Sequence, residues 1–394
     1  MADRRVPSRI LVWILFTVAC TTPAFATGRV VDLAAADGTK LKATYFDAGK
    51  PGPGVLLLHQ CNRQRKVWDP LGEQLAAAGI NVLTLDNRGF GESGGAPHDS
   101  LTPEQEGQIE TQKWPGDIDA ALRYLESQPG VRHDLIGVGG ASCGVNNSVQ
   151  AARRHPEVRS LVLLSGNTDL NGRQFLRSSA TLPVFFAVAD DDEFPPTVEA
   201  IEWLYSLTPN PGKKLVHYAT GGHGVEMFPV HPELQGAIVD WYVTTLITTP
   251  GRAPVSKDVP AIPQESHNLD LMDQPGGAGK VAKMLEDARR RDPKAVLFPE
   301  GIANFMGYEH LQSGDRKGAI EILKLNATAY PNSPNVYDSL SDTYLADGQK
   351  DLARQNANRA LELLPSDTTD NEQARKAIRD SAEKKLKQLG DGPQ

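Results

Sequence analysis

Residues 135–144, LIGVGGASCG, contain the turn around which the rest of the chain can be ordered. The apolar run at 135–138 predicts a buried strand, and the stretch that follows, with Val149 and Ala152, predicts a helix. Small residues lie two positions before and two positions after Ser142, as a sharp turn from a strand into a helix requires. We therefore expect Ser142 to occupy a strained backbone position with its hydroxyl exposed above a sheet. The alternative is a glycine-rich structural turn with an inert serine.

Short apolar runs rich in β-branched residues recur on both sides of this turn, and amphipathic stretches with helical spacing separate them. The runs that predict buried strands are residues 55–58, 82–85, 135–138, 161–164, 184–188 and 214–218. Two further runs, 30–33 and 41–45, flank Asp37-Gly38 and predict an opening hairpin. The alternation predicts an α/β fold with a mostly parallel sheet and helices on both faces.

The chemistry of Ser142 depends on a base and on an acid that orients it. The strand at 184–188 runs into Asp190-Asp191-Asp192, and the strand at 214–218 runs into Gly221-Gly222-His223-Gly224. Because the carboxyl ends of parallel strands share one edge of a sheet, Ser142, an aspartate and His223 are expected to converge there. We assign Asp192 as the acid, with Asp191 as the alternative. The alternatives to catalytic roles are a solvated acidic turn and an ordinary loop histidine.

These motifs resemble the dienelactone-hydrolase-like branch of the α/β-hydrolase superfamily. The resemblance rests on the order Ser142, Asp192, His223 and on two further segments, LLLH at 56–59 and DNRGFGES at 86–93. It implies that residues 86–93 are structural and that the chain transfers acyl groups of carboxylic esters or lactones. Some members of the superfamily act on peptides, so a serine peptidase is an alternative. The resemblance implies a small-molecule substrate and no metal or organic cofactor.

The resemblance also places the two oxyanion donors, the backbone N–H groups of Cys61 and Cys143. This chain departs from the family at Gln60, where a glycine usually follows the histidine of the oxyanion loop. Cys61 and Cys143 are the cysteines that remain after removal of the leader described below, which carries Cys20. We therefore hypothesise a Cys61–Cys143 disulfide at the oxyanion hole. The alternative is a pair of buried thiols.

The segment between the strands at 161–164 and 184–188 has room only for a short loop. We therefore expect no cap domain and an open pocket. Six residues of the predicted loops are candidates to line it, and each is also a candidate for ordinary packing. They are Arg65, Trp68, Phe90, Trp114, Phe175 and Phe228.

The first residues have the pattern of a secretory signal peptide. Three arginines within residues 4–9 precede an apolar run at 10–19 that is too short for a stable membrane span, and AFA at 24–26 offers a cleavage site after Ala26. Residues 1–26 are therefore predicted to direct export to the periplasm or the medium. A lipoprotein anchor at Cys20, or an uncleaved anchor, is the alternative.

Length and composition bound the remaining possibilities. A chain of 394 residues exceeds the size at which a single core keeps growing, so two domains are expected. A net charge of −8, with no strongly basic cluster, argues against nucleic acid as a partner. No segment after the leader is long and apolar enough to predict a membrane span.

The second domain is predicted from a change in composition and a repeat. Five prolines and Gly276-Gly277 interrupt residues 249–277, which predicts a linker after an α/β-hydrolase domain at 27–248. Beyond it, matching residues recur 34 positions apart, the tetratricopeptide (TPR) period. The pairs are Leu311 and Leu345, Gly314 and Gly348, Ala319 and Ala353, and Pro331 and Pro365.

Residues 278–394 are thus predicted to form a TPR-like helical domain. Two repeats are too few for a stable stack, so we expect a leading helix around residues 281–288 and a capping helix around 374–389. The region would bind a protein partner or pack on the core. A third hypothesis for the whole chain follows, in which the hydrolase core is catalytically weak and the helical tail recruits a partner.

Overall fold

The computed structural model describes residues 28–194, 196–255 and 259–390. The predicted signal peptide and Cys20 lie outside these ranges. Within them, no helix is long and apolar enough to span a membrane.

Eight strands form one sheet in the order β1-β2-β4-β3-β5-β6-β7-β8. The strands are β1 (Arg29–Ala34), β2 (Lys40–Phe46), β3 (Gly52–Leu58), β4 (Asn81–Leu85), β5 (Val131–Ala141), β6 (Val158–Leu164), β7 (Val184–Ala189) and β8 (Lys214–Tyr218). Strand β2 runs antiparallel to β1 and β4, and the pairs from β4 to β8 are parallel. The predicted hairpin and all six predicted strands are confirmed, and five of the six are buried as expected. The expected burial of residues 214–218 was wrong, because β8 lies at the edge of the sheet and its residues are exposed or half-buried.

Helices fill the connections and the region after the sheet. They are α1 (Asp69–Ala77), α2 (Pro103–Gln112), α3 (Trp114–Ser127), α4 (Cys143–Arg154), α5 (Leu170–Ser178), α6 (Thr197–Leu207), α7 (Met227–Val230), α8 (Glu233–Tyr242), α9 (Gln264–Met272), α10 (Gly277–Arg289), α11 (Glu300–Gln312), α12 (Arg316–Ala329), α13 (Pro334–Ala346), α14 (Lys350–Leu363) and α15 (Glu372–Gln388). Short 3₁₀ segments lie at Arg65–Trp68, His98–Ser100, Gly224–Glu226 and Leu364–Ser366, and a π-helical turn at Val243–Thr248 follows α8.

The two faces of the sheet pack against different helices. Side chains of α3, α4 and α6, such as Ile118, Val149 and Ile201, join one buried core. Side chains of α1 and α8, such as Leu75 and Ile238, join the other. A parallel sheet needs this cover on both faces because its central strands are apolar on both sides.

The segment between β6 and β7 contains α5 rather than a loop alone. This single helix of 9 residues is too small to be a cap domain. This segment therefore contains no cap domain. The expectation of a bare loop was wrong, because the segment folds into a helix that buries Leu176 and Arg173.

The expected linker at residues 249–277 needs a correction. Its second half forms α9, where Leu269 and Met272 are buried in the same core as Ile201 of α6 and Ile302 of α11. The prolines of the segment lie outside α9, so they do not prevent the helix. One continuous apolar core therefore runs from the sheet into the C-terminal helices, and the linker does not separate two independent cores.

The C-terminal region is helical, with matching helices at regular spacing. Helices α11 and α13 begin at Glu300 and Pro334, 34 positions apart, and α12 and α14 begin at Arg316 and Lys350, again 34 apart. Both helix pairs turn at a glycine with positive φ, Gly314 at 89° and Gly348 at 78°. The expected leading and capping helices correspond to α10 and α15. The TPR-like character of these pairs remains a proposal.

A buried ionic cluster joins this helical region to the part of the chain that carries the sheet. Arg173 on α5 donates from Nε and Nη2 to the carboxylate of Asp273, at 3.1 and 2.8 Å, and from Nη1 to Glu309 on α11. His310 also faces Asp273, with Nε2 3.3 Å from Oδ1. Since a buried arginine without its partners is strongly destabilising, this cluster fixes how α5 and α11 pack together.

Candidate active site

Ser142 stands at the carboxyl end of the central strand β5, directly before α4. Its φ is 54°, a strained value for a residue with a side chain, and its N–H donates to the Leu164 carbonyl at 2.9 Å. A Cβ on Gly140 would lie 2.1 Å from the Gly144 carbonyl oxygen, so the predicted small residues are needed where the chain crosses itself. Ser142 is half-buried.

His223 follows β8 and is paired with one of the three consecutive aspartates. Its Nδ1 lies 2.9 and 2.8 Å from the two carboxylate oxygens of Asp192, and the imidazole is 4% exposed. The Phe194 ring packs on the imidazole at a centroid distance of 4.6 Å. Because Nδ1 faces a carboxylate, Nε2 is the ring nitrogen left to accept a proton.

Asp190 and Asp191, the neighbours of Asp192, have other partners. Asp191 accepts the backbone N–H groups of Gly221 and Gly222 through one oxygen, at 2.7 and 2.8 Å. Asp190 lies 2.6 Å from Nε2 of His217 on β8. The carboxylate of the alternative acid therefore holds the backbone turn that leads to His223, while Asp192 holds the ring.

The loop that carries His223 lies against the turn at Ser142. A Cβ on Gly224 would come within 3.1 Å of Cβ of Ala141, the residue before Ser142. The elements β5, β7 and β8 thus bring Ser142, Asp192 and His223 to one edge of the sheet.

Cys61 and Cys143 form a disulfide, with their Cα atoms 5.9 Å apart. It joins the loop after β3 to the first residue of α4, so the two candidate oxyanion donors lie side by side. The N–H groups at the start of α4 are also favoured positions for negative charge.

Gln60 is a site residue whose role the sequence did not reveal. Its side chain is fully buried, and Oε1 accepts the backbone N–H of Val225 at 2.9 Å while Nε2 donates to Asn62 at 2.8 Å. Gln60 therefore ties the loop that carries Cys61 to the loop that carries His223. The sequence signal for this role was the departure from glycine at position 60. Only the contact with Val225 in the structure shows what the glutamine side chain does.

His59, next to it, has a structural role. Its Nε2 accepts the N–H of Asn87 at 3.0 Å and its Nδ1 lies 2.8 Å from the Gln60 carbonyl, to which it donates. Burial lowers the pKa of His59. This imidazole is therefore kept neutral between two loops and does not take part in proton transfer at Ser142.

The segment DNRGFGES at 86–93 is also structural, as expected. Asp86 and Arg65 form a fully buried ion pair, and Arg65 also donates to Thr44 at 3.0 Å. Arg88 binds Asp117 through two nitrogens, at 2.9 and 2.8 Å. These pairs hold the loop after β4 in place.

Of the six residues named as candidates for pocket lining or for ordinary packing, Phe90 lies at a cavity. It borders a cavity of about 540 Å³ beside Cys61, which we call the Cys61 cavity and which Arg63, Lys66 and His98 also line. For four of the other five, the packing alternative holds. Arg65, Trp68 and Trp114 are at most 1% exposed and Phe228 is 6% exposed, while Phe175 borders a separate cavity near Pro156.

The described residues include one group with the spacing of metal ligands, Cys61, His98 and Glu110. Their donor atoms lie within 4.8 Å of one another. Because the sulfur of Cys61 is bonded to Cys143, it offers no thiolate. This group therefore lacks a cysteine thiolate, which would be its strongest metal ligand.

A protein-family model described as serine aminopeptidase, S33, matches residues 49–182. The match contains Ser142 and Cys61 and ends before Asp192 and His223. Together with the strand order and the turn at Ser142, it decides the architecture. The chain has an α/β-hydrolase fold.

Two curated relatives match this hydrolase part. A thiohydrolase, aneE, of Aspergillus aculeatus is 31% identical over 133 residues, which is 34% of this chain and 39% of that protein. An uncharacterized protein of Mycobacterium tuberculosis is 31% identical over 145 residues, which is 36% of this chain and 47% of that protein. The chain thus covers less than half the length of these relatives.

Solved structures with similar backbones include the esterase Pf2001 of Pyrococcus furiosus, 20% identical, with a TM-score of 0.47 over 59% of this chain and 96% of that chain. A complex of DcsB with its substrate analogue is 16% identical, with a TM-score of 0.47 over 56% of this chain and 99% of that chain.

Proposed function

We propose that this chain is an exported serine hydrolase that cleaves carboxylic esters or lactones through an acyl-enzyme on Ser142. The observation that carries the proposal is the pairing of His223 Nδ1 with Asp192, at 2.9 and 2.8 Å, on the sheet edge where the strained Ser142 stands. A buried histidine held this way has the orientation of a general base in a serine triad.

In the proposed reaction, His223 Nε2 takes the proton of Ser142 Oγ as that oxygen attacks the ester carbonyl. Asp192 keeps the tautomer with Nδ1 protonated and stabilises the imidazolium that forms. The N–H groups of Cys61 and Cys143 bind the oxyanion. His223 then protonates the leaving alcohol, and water, activated by the same base, releases the acid and restores Ser142. The reaction needs no metal or organic cofactor.

The substrate class is proposed from the resemblance to dienelactone-hydrolase-like enzymes in the motifs around Ser142, His59 and His223. Esters, lactones and thioesters all react through the same acyl-enzyme, and one relative carries the name thiohydrolase. We place esters and lactones first because the resemblance favours them.

Export is proposed from the pattern of residues 1–26, with cleavage after Ala26 and a Cys20 anchor as the alternative. The Cys61–Cys143 disulfide supports an oxidising compartment, because such bonds are rare in reducing cytosol. Replacement of Cys20 by alanine leaves release from the membrane unchanged if cleavage occurs after Ala26.

A serine peptidase is the second candidate, and the family model described as serine aminopeptidase favours it. Both candidates use Ser142, so substrates must separate them. We expect p-nitrophenyl esters to be cleaved with higher kcat/KM than aminoacyl p-nitroanilides. The reverse preference would assign the chain to the peptidases.

The first test of the proposed function is Ser142→Ala in the full chain. Because Ser142 is the nucleophile, the variant is expected to lose p-nitrophenyl ester hydrolysis by about 10⁶-fold, to the background rate. The exposed Ser178 on α5 offers a control, and Ser178→Ala is expected to retain full activity. Ester hydrolysis that survives Ser142→Ala refutes the assignment.

A catalytically weak binding protein is the remaining hypothesis, with the TPR-like region recruiting a protein partner. A groove of about 830 Å³ bordered by Tyr337, Tyr344 and Arg359 is the surface such a partner would use. A fluorophosphonate probe separates the hypotheses, since it labels only an activated serine. Labelling at Ser142 that is absent in His223→Ala supports the enzyme, and no labelling of the native chain supports the binding protein.

A further inference from the structure

The C-terminal helical region contributes to a cavity at the edge of the candidate active site. This cavity, the Phe194 cavity, has a volume of about 280 Å³. Its walls come from the loops that follow β6 and β7, from the start of α6, and from α11. The residues that define it are Gly166, Phe194, Thr197, Ala200, Ile302 and Phe305.

Two of the walls touch the proposed triad. A Cβ on Gly166 would lie 2.5 Å from the Ser142 carbonyl oxygen, so this stretch of backbone packs directly on the turn of the nucleophile. On another side, the Phe194 ring lies 4.6 Å from the His223 imidazole, centroid to centroid. The cavity therefore borders the backbone of the proposed nucleophile and the ring of the proposed base.

The Phe194 cavity is mainly apolar. Phe194 and Phe305 are 48% and 45% exposed, although large apolar side chains usually pack into a core, while Ile302 is buried at 1%. The two half-exposed aromatic rings leave apolar area that a ligand can cover. The cavity is slightly smaller than the range typical of whole drug-sized ligands, so it fits one apolar group rather than an entire substrate.

Helix α11 is held firmly enough to serve as a wall. Ala303 and Met306, on either side of Phe305, are fully buried in the core shared with α6. One turn further on, Glu309 accepts from the buried Arg173 of α5. Phe305 thus projects from a helix that apolar contacts and, one turn along the same face, an ion pair hold in place.

The Cys61 cavity has a different character. Arg63 and Lys66, both of which line it, are charged, and their partners Glu226 and Glu92 are partly exposed. The Cys61 cavity thus borders the disulfide and has charged side chains in its lining, whereas the Phe194 cavity borders the triad through Gly166 and Phe194 and is mainly apolar. This asymmetry favours a substrate with one apolar group, bound in the Phe194 cavity.

We propose that α11 supplies a wall of the substrate site and that Phe305, with Phe194, selects esters that carry an aromatic or medium-length alkyl group next to the scissile bond. The inference rests on the proposed ester hydrolysis. The inference gives the helical region a role in substrate selection. Helix α11, from the C-terminal half of the chain, takes the place of a conventional cap domain.

The test measures chain-length preference in the full-length protein. One series varies the acyl group of p-nitrophenyl esters from acetate to octanoate and benzoate, and the other varies the alcohol of acetate esters from ethyl to octyl and benzyl. In at least one of the two series, native protein is expected to hydrolyse the ester with the larger apolar group at a higher kcat/KM than the ester with the smaller group. Phe305→Ala is expected to reduce the ratio of large to small substrate about tenfold, because a hydrophobic pocket loses this order of discrimination with its wall.

Phe305→Trp offers the opposite change and is expected to shift the preference toward smaller groups by filling the cavity. The control is Leu352→Ala on α14, which removes another exposed apolar side chain of the helical region and is expected to leave the ratio unchanged. Circular dichroism checks that each variant is folded.

The outcomes separate this inference from the proposed function. If native protein hydrolyses esters but Phe305 variants keep its chain-length preference in both series, the wall role of α11 is wrong and the hydrolase assignment stands. If native protein neither hydrolyses any ester nor reacts with a fluorophosphonate, the proposed function fails and this inference fails with it.

Discussion

At the scale of single residues, the three aspartates after β7 show how neighbouring identical side chains acquire separate tasks. Asp190 faces His217, Asp191 caps the backbone N–H groups of Gly221 and Gly222, and Asp192 faces His223. The chain changes direction after Ala189, so successive carboxylates point to different elements. One of the three therefore pairs with strand β8, one holds the loop that contains His223, and one orients the ring of His223.

Replacing each aspartate by asparagine separates these tasks. Asp192→Asn is expected to lower kcat for ester hydrolysis by about 10⁴-fold, because an amide cannot hold the tautomer or stabilise the imidazolium. Asp191→Asn keeps a carbonyl oxygen that can accept both glycine N–H groups, so its loss is expected to be about tenfold or less. Steady-state kinetics on one p-nitrophenyl ester provides the comparison.

Asp190→Asn is the matched control for this series, since its partner His217 lies outside the triad, and its kcat is expected to stay within about twofold of the native value. The assignment of Asp192 is contradicted if Asp191→Asn proves the more damaging change while all three variants remain folded.

At the scale of elements, the contact between α5 and α11 is set by charges buried at their interface. Burial raises the pKa of Glu309 to about 7, against the attraction of Arg173, and the neighbouring Asp273 adds to the rise. Burial also opposes ionisation of Asp273, but Arg173 and His310 outweigh it and hold the pKa of Asp273 below its usual value. Arg173 thus keeps Asp273 ionised but does not offset the burial of Glu309.

This arrangement predicts a pH dependence of stability. Because the pKa of Glu309 is raised from 4.5 in the unfolded chain to about 7, its contribution is present below pH 4.5 and is lost as the pH rises through 7. His310, whose pKa is also raised by its two aspartate partners despite burial, acts in the same direction. The depressed pKa of Asp273 acts oppositely, with loss only at strongly acidic pH.

Glu309→Gln tests the assignment by chemical denaturation between pH 5 and pH 8. Relative to this variant, native protein is expected to lose up to about 3 kcal/mol of unfolding free energy as the pH rises, since each pKa unit corresponds to about 1.4 kcal/mol. Glu286→Gln on the exposed surface of α10 is the control and should follow the native curve. Identical curves for native protein and Glu309→Gln would show that Glu309 does not titrate in this range.

At the scale of the whole molecule, one apolar core crosses from the sheet to the helical region. Ile201 of α6, Leu269 of α9, Val281 of α10 and Ile302 of α11 belong to this core. Contacts of this kind couple the stability of the parts that share them, so the hydrolase part and the first C-terminal helices are expected to unfold as one cooperative unit.

Two optical probes report on different parts of the chain. Apart from Trp13 in the predicted signal peptide, the four tryptophans lie within residues 27–248, so fluorescence of the mature protein follows the hydrolase part, while far-UV circular dichroism includes the C-terminal helices. The two thermal transitions are expected to coincide. Leu269→Ala is expected to lower both together, at a cost of about 2 to 5 kcal/mol, because Leu269 is fully buried between the two parts.

Leu352→Ala, at a side chain that is 37% exposed, is expected to shift both transitions much less. Two separate transitions in native protein, with only one moved by Leu269→Ala, would mean that the shared core does not couple the two parts.

The sequence by itself determined the elements and their order. Apolar runs marked six strands, five of them buried, Asp37-Gly38 marked the hairpin, and the 34-residue spacing marked the paired C-terminal helices. The reason is that strand burial, tight turns and repeats depend on residues close together in the chain. The same local rules placed Ser142 at the strand-to-helix turn and Asp192 and His223 after later strands.

Only the tertiary structure decided which residues that lie far apart in the chain come into contact. Gln60 and Val225 are 165 residues apart, and Arg173 and Glu309 are 136 apart. No local pattern marked these pairs, and the prolines around α9 suggested a linker where a packed helix lies. The position of Phe305 beside Phe194 likewise follows from the packing of α11 on α5 and α6, which depends on burying charge and apolar area together rather than on any single motif.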